Sequence, residues 1–112
     1  MACVIEPYSF KNIQHGHSPL PLRCKTWKKY WCDRSGEEWP RFCSARRCDR
    51  EADGSAHVFV DCEEDEEYII PTCGFHRNPS EKYFQKTNRN VIAVYIDRDK
   101  IMKELLDNLN TM

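Results

Sequence analysis

Seven cysteines in a chain of 112 residues constrain this sequence more than any other feature, because thiols at that density must pair, bind metal or be buried. An odd number cannot all pair within one chain. Glu6 and Pro7 interrupt the short apolar run Cys3-Val4-Ile5, so the first ten residues do not read as a secretory signal. No run of about 18 apolar residues suggests a membrane span. The expectation is therefore an intracellular protein, cytoplasmic or nuclear, without a membrane partner. In such a compartment clustered cysteines serve as metal ligands or free thiols in preference to disulfides.

Two close pairs have the spacing that a tetrahedral metal requires. Cys43 and Cys48 bracket four residues in Cys43-Ser-Ala-Arg-Arg-Cys48, and Cys73 and His76 bracket two in Cys73-Gly-Phe-His76, with 24 residues between the pairs. Structural zinc takes four soft or borderline ligands, usually as two chelating pairs on tight turns. The expected ligands of Zn2+ are thus Cys43, Cys48, Cys73 and His76, with Cys62 and His57 as substitutes. Cys3, Cys24, Cys32 and Cys62 otherwise read as small buried hydrophobes. His15 and His17, in a loop-like stretch, read as solvated.

A chain this short supports one domain, residues 1–112, and its mean hydropathy of -0.77 leaves the core thin. A bound structural metal, worth on the order of 10 kcal/mol, would compensate. Prolines at 7, 19 and 21 and Gly16 make residues 1–22 an extended arm. Cys24, Trp27 and Trp31 recur at helical spacing, so residues 23–34 predict an amphipathic helix stopped by Gly36. Its stripe of Trp27, Tyr30 and Trp31 is core, or else a stacking platform for bases. Residues 56–62 and 68–71 read as two strands joined by an acidic turn at 63–67. Ser80 would cap a short helix reaching about Lys86. Residues 90–97 predict a further strand and 99–110 a closing helix with Ile101, Met102, Leu105, Leu106 and Leu109 on one broad face. The fold class is α+β.

The series Cys43-x4-Cys48, Ala56-His57-Val58, Tyr68-Ile-Ile-Pro-Thr-Cys73 and Gly74-Phe-His76-Arg-Asn resembles the treble-clef core of HNH nucleases. The resemblance covers residues 43–88. It implies a zinc knuckle, a hairpin and a final ligand pair at the head of a helix, forming a treble-clef or ββα zinc-binding core. A flanking N-terminal helix and residues 90–112, a strand plus helix, would lie outside it. In that family a first-strand histidine is the general base and neighbouring side chains hold a catalytic metal. His57 matches the base. Ala56, Tyr68 and Arg77 stand where the family has its other catalytic groups, so the resemblance implies a catalytically degenerate member. Should a nuclease exist here at all, His57 would be its catalytic residue.

Charge is segregated. Residues 23–50 carry nine Lys or Arg against four acids, while residues 51–67 carry eight acids and no base. Nucleic acid is one expected partner, through Lys25, Lys28, Lys29, Arg41, Arg46, Arg47 and Arg50. A protein partner is the other, with a homodimer through the C-terminal helix as one form of it.

Overall fold

The computed structural model describes residues 3–4, 8–13, 19–21, 24–77, 84–88 and 91–110, with side chains left out at 3, 4, 63, 64 and 110. Its centre is a hairpin of β3 (Gly54–Val60) and β4 (Glu63–Thr72). Ala56, Val58 and Val60 alternate inward along β3, the period of two that a strand imposes on its side chains. Around this hairpin lie β1 (Cys3–Val4), β2 (Ser9–Asn12), β5 (Gln85–Lys86) and β6 (Ala93–Ile96). They form a six-stranded sheet of order β1-β6-β4-β3-β2-β5 in which every pairing is antiparallel. With helices α1 (Trp27–Ser35) and α2 (Arg98–Asn110) the fold is α+β, as the sequence predicts.

The two faces of the sheet carry different cores. Val58, Tyr68, Ile70 and Phe10 pack with Cys43, Ala45 and Cys73 on one face. Ile69, Val94 and Ile96 pack with Tyr30, Trp31 and Ile101 on the other. Thr26 starts α1 by accepting the Lys29 N–H at 3.1 Å, and Gly36, at φ 72°, ends it in the left-handed region that suits glycine. The aromatic stripe resolves largely as core. Tyr30 and Trp31 are buried, Trp31 Nε1 donates to the Ile92 carbonyl at 2.9 Å, and Trp27 is half-buried.

Four sequence expectations need correction. Within the 1–22 arm, residues 3–4 and 9–12 are strands, because Phe10 and Asn12 pair with Val60 and Val58 and bury against the hairpin. The acidic stretch 63–67 is not a turn. Asp61 and Cys62 make the turn, and the acids begin β4, where Asp65 and Glu66 are exposed while Glu67 is buried. Cys62, at that turn, is exposed and not a buried hydrophobe. Residues 78–83 of the helix expected from Ser80 lie outside the described residues, but Gln85 and Lys86, placed at its end, pair with β2 instead. His15 and His17 also lie outside them. Ile101 of α2 is buried and Leu105 half-buried, whereas Leu109 is 67% exposed, so the closing helix packs on the sheet only through its first turns.

Because Phe10 is fully buried, Phe10→Ala should destabilise the protein by about 3–5 kcal/mol, read as a lowered urea midpoint. A loosely attached arm would leave the midpoint unchanged.

Candidate metal centre

Cys43 and Cys48 frame a tight turn after α1. The Cys48 N–H donates to the Ala45 carbonyl at 3.1 Å, and Arg47 closes the loop with φ at 63°, a conformation rarely taken by residues other than glycine. Cys73 follows the last residue of β4, and His76 lies in the 3-10 turn Phe75–Arg77. The β3–β4 pairing, with Gly54 opposite Thr72, brings the two turns to one end of the hairpin. There the ligand atoms of Cys43, Cys48, Cys73 and His76 all lie within 4.8 Å of one another.

These separations fit a tetrahedral ion. Metal–sulfur bonds of about 2.3 Å and metal–nitrogen bonds of about 2.0–2.1 Å put sulfur pairs roughly 3.8 Å apart and sulfur–nitrogen pairs roughly 3.6 Å apart. The Cys48 and Cys73 sulfurs are 3.9 Å apart, and His76 Nδ1 is 3.6 Å from Cys43 Sγ and 3.3 Å from Cys73 Sγ. The four residues expected from the sequence are therefore together, and they could hold a metal ion. Neither substitute joins them: His57 and Cys62 are not part of the cluster.

Hydrogen bonds from distant residues hold both turns in shape. Asn88 donates through Nδ2 to the carbonyls of Cys43 and Ala45 at 3.3 and 3.1 Å, and accepts the Arg47 N–H at 3.1 Å. Asn12 donates to the His76 carbonyl at 2.9 Å. Arg77 donates from Nη1 to Asp53 and to the Thr72 carbonyl, each at 2.8 Å, fastening the 3-10 turn to the hairpin end. It lies so close over Gly54 that a Cβ there would come within 2.6 Å of Nη1. Outer supports of this kind orient ligands and tune their affinity. Sequence reading missed Asn12 and Asn88, which stand 64 and 45 residues from the groups they hold and carry no local signal.

The thiols are unequal. Burial pushes Cys43 up to about 11, with the neighbouring Cys73 and Cys48 sulfurs adding to the rise. Burial acts the same way on Cys73, but the His76 N–H, the Cys43 and Cys48 thiols and the Phe75 N–H outweigh it, so that thiol is lowered. Of these two, Cys73 ionises first, while Cys43 reaches the thiolate form when a cation displaces its proton.

His57 lies away from this centre. It pairs across the sheet with Ile69, on the face that α1 covers. Its Nδ1 meets Glu67 Oε2 at 2.5 Å, the Trp27 ring stands edge-on at 4.8 Å, and its side chain is 10% exposed. The seven basic residues are all exposed, but in two groups. Arg41, Arg46, Arg47 and Arg50 surround the knuckle. Lys28 and Lys29 lie in the first turn of α1 and Lys25 just before it; Lys28 reaches over Trp39 and Lys29 pairs with Asp33.

Fold and centre together define an α+β protein in which a cluster of three cysteines and one histidine is built across one end of a β-hairpin. Among the described residues no helix is long and apolar enough to cross a membrane. No protein-family model matches the chain, no curated protein matches its sequence, and no solved structure matches its fold.

Two outcomes follow for the purified protein. Elemental analysis should find one divalent ion per chain, and Cys73→Ser should lose it with a fall in melting temperature of many degrees. Binding must expel the Cys43 proton, since that thiol is neutral at pH 7. Affinity of the stripped protein for the ion should therefore rise between pH 6 and 8, by about tenfold per unit for each proton released. Isothermal titration in two buffers of different ionisation enthalpy would count those protons. A pH-independent affinity would remove Cys43 from the ligand set.

Proposed function

We propose that this chain is a zinc-binding module of the HNH-like treble-clef type, without a complete nuclease site, that acts by binding nucleic acid. Three cysteine sulfurs and an imidazole nitrogen within 4.8 Å of one another are donors suited to Zn2+. The order of knuckle, hairpin and second ligand pair supports the treble-clef reading. The observation that carries the nucleic-acid reading is the placement of Arg46 and Arg47 at the exposed tip of the knuckle, with Arg41 and Arg50 at its base. Within residues 41–50 these four cations face a single acid, Asp49.

The acidic stretch does not cancel this field. At about 3.3 Å per residue, Glu63 to Glu67 stand roughly 15–30 Å along β4 from the metal end, well beyond a Debye length of about 8 Å. Hydrolysis of the bound strand is not part of the reading. A base must reach its water, and the His57 side chain is 10% exposed, with the Trp27 ring edge-on at 4.8 Å.

A salt titration of fluorescence anisotropy with labelled DNA and RNA tests the reading. Affinity should fall steeply with salt, and Arg46→Ala with Arg47→Ala should reduce the slope by about 1.4–1.8. Metal content should stay unchanged in the double variant. Binding that ignores salt, or a slope that ignores the two arginines, defeats the proposal.

A second reading, protein interaction with a purely structural zinc, rests on α2. Met102, Leu106 and Leu109 are 40%, 55% and 67% exposed and lie within two helical turns. Light scattering of the purified protein tests the homodimeric form of it: a mass of twice 13.3 kDa, restored to the monomer by Leu106→Glu, would favour this reading.

A further inference from the structure

We propose that the nucleic acid taken by this surface is single-stranded, with unpaired bases stacking on Phe42 and Phe75. The inference rests on the nucleic-acid reading above and deepens it. Phe42 is 48% exposed and Phe75 65% exposed, in a chain whose apolar core is small enough that leaving two aromatic rings in water needs a reason.

Their position supplies one. Phe42 immediately precedes Cys43, and Phe75 immediately precedes His76, so each ring is carried by backbone that a ligand of the metal centre holds. The Phe75 ring also stands edge-on to the His76 imidazole at 5.1 Å. A platform fixed in this way has already lost its conformational freedom before the ligand arrives.

Each ring is paired with a guanidinium. Arg41 lies 5.3 Å from the centre of the Phe42 ring, and Arg50 lies 5.3 Å from the centre of the Phe75 ring. The main chain ties these residues together: the Cys43 N–H donates to the Arg50 carbonyl and the Ala52 N–H to the Arg41 carbonyl, each at 2.9 Å. Alternation of aromatic faces with cations that meet phosphates is the composition of surfaces that bind single strands.

A cleft of about 540 Å³ opens beside Phe42, walled by Trp31, Pro40, Arg41, Val91 and Ile92. It has the size range of a small-molecule site, room for a nucleobase lying on the ring. Glu37 and Glu38 also line it, while three of its other polar groups are already engaged. Trp31 Nε1 donates to the Ile92 carbonyl, Ser44 Oγ to the Pro71 carbonyl, and the Asn88 amide is engaged with the knuckle. A base there would be held by stacking on Phe42, with the two carboxylates left to accept from its amino or imino edge. Paired bases in a duplex already stack on one another and cannot enter.

The test uses the metal-loaded full chain and fluorescence anisotropy. Probes are single strands of DNA and RNA of about 12 nucleotides and mixed sequence, the corresponding duplexes, and heparin as a competitor without aromatic bases. Single strands should bind at least about tenfold more tightly than duplexes. Phe42→Ala and Phe75→Ala should each weaken single-strand binding roughly tenfold without changing the salt slope, since stacking releases no counterions. Phe75→Leu, which keeps an apolar side chain but removes the ring, should weaken it likewise, and Phe42→Trp should retain it. Metal content and circular dichroism confirm that each variant is folded. If duplexes bind as well as single strands, or if heparin displaces the strand equally from the alanine variants and the parent, the stacking proposal falls while the nucleic-acid reading stands. If the loaded chain shows no salt-sensitive binding to any probe, both fall.

Discussion

Three thiols and an imidazole crowded within 4.8 Å set the terms for the rest of this molecule. Ionised together, the sulfurs repel: the Cys73 and Cys48 sulfurs both act to keep the Cys43 proton in place. A tetrahedral cation reverses that sign, because thiolates that cannot share a space as bare anions can share one as ligands. Such an ion would also join the turn after α1 to the turn after β4, closing a loop of 24 residues between Cys48 and Cys73 that contains the central hairpin. A core as small as this one gains most from such a closure.

The sheet separates two tasks. Alternation along β3 sends Ala56, Val58 and Val60 toward the face that packs the knuckle, and His57 toward the face that packs α1. On the first face, Asn12 of β2 and Asn88, two residues past β5, shape the two ligand turns. On the second, His57, Glu67 and Trp27 join helix and sheet. A histidine that resembles a general base in sequence is thereby a packing group in the fold.

Much of the centre was legible beforehand because chelation is local. Cys43 with Cys48 and Cys73 with His76 must each sit on a tight turn, and short spacings report tight turns. The helix at α1 was readable from its stripe and its Gly36 stop, and the strands at β3 and β6 from their branched residues. The acidic start of β4 was misread because charge is a poor guide to turns. A strand tolerates Asp65 and Glu66 where they face water, and the actual turn at Asp61 and Cys62 has no glycine or proline to mark it. Proline and glycine likewise made residues 1–22 look like an arm, although Ser9–Asn12 is a strand whose alternate residues bury against β3.

By itself, then, the sequence determined the four residues that could hold a metal ion, the α+β class and the placement of most elements, since each depends on neighbours a few residues apart. Tertiary structure alone decided that His57 is covered, that Asn12 and Asn88 shape the ligand turns, and that Phe42 and Phe75 remain in water. Those outcomes depend on which face of the sheet a residue occupies and on what packs there, and contacts spanning 45 to 64 residues leave no periodicity in the chain to announce them.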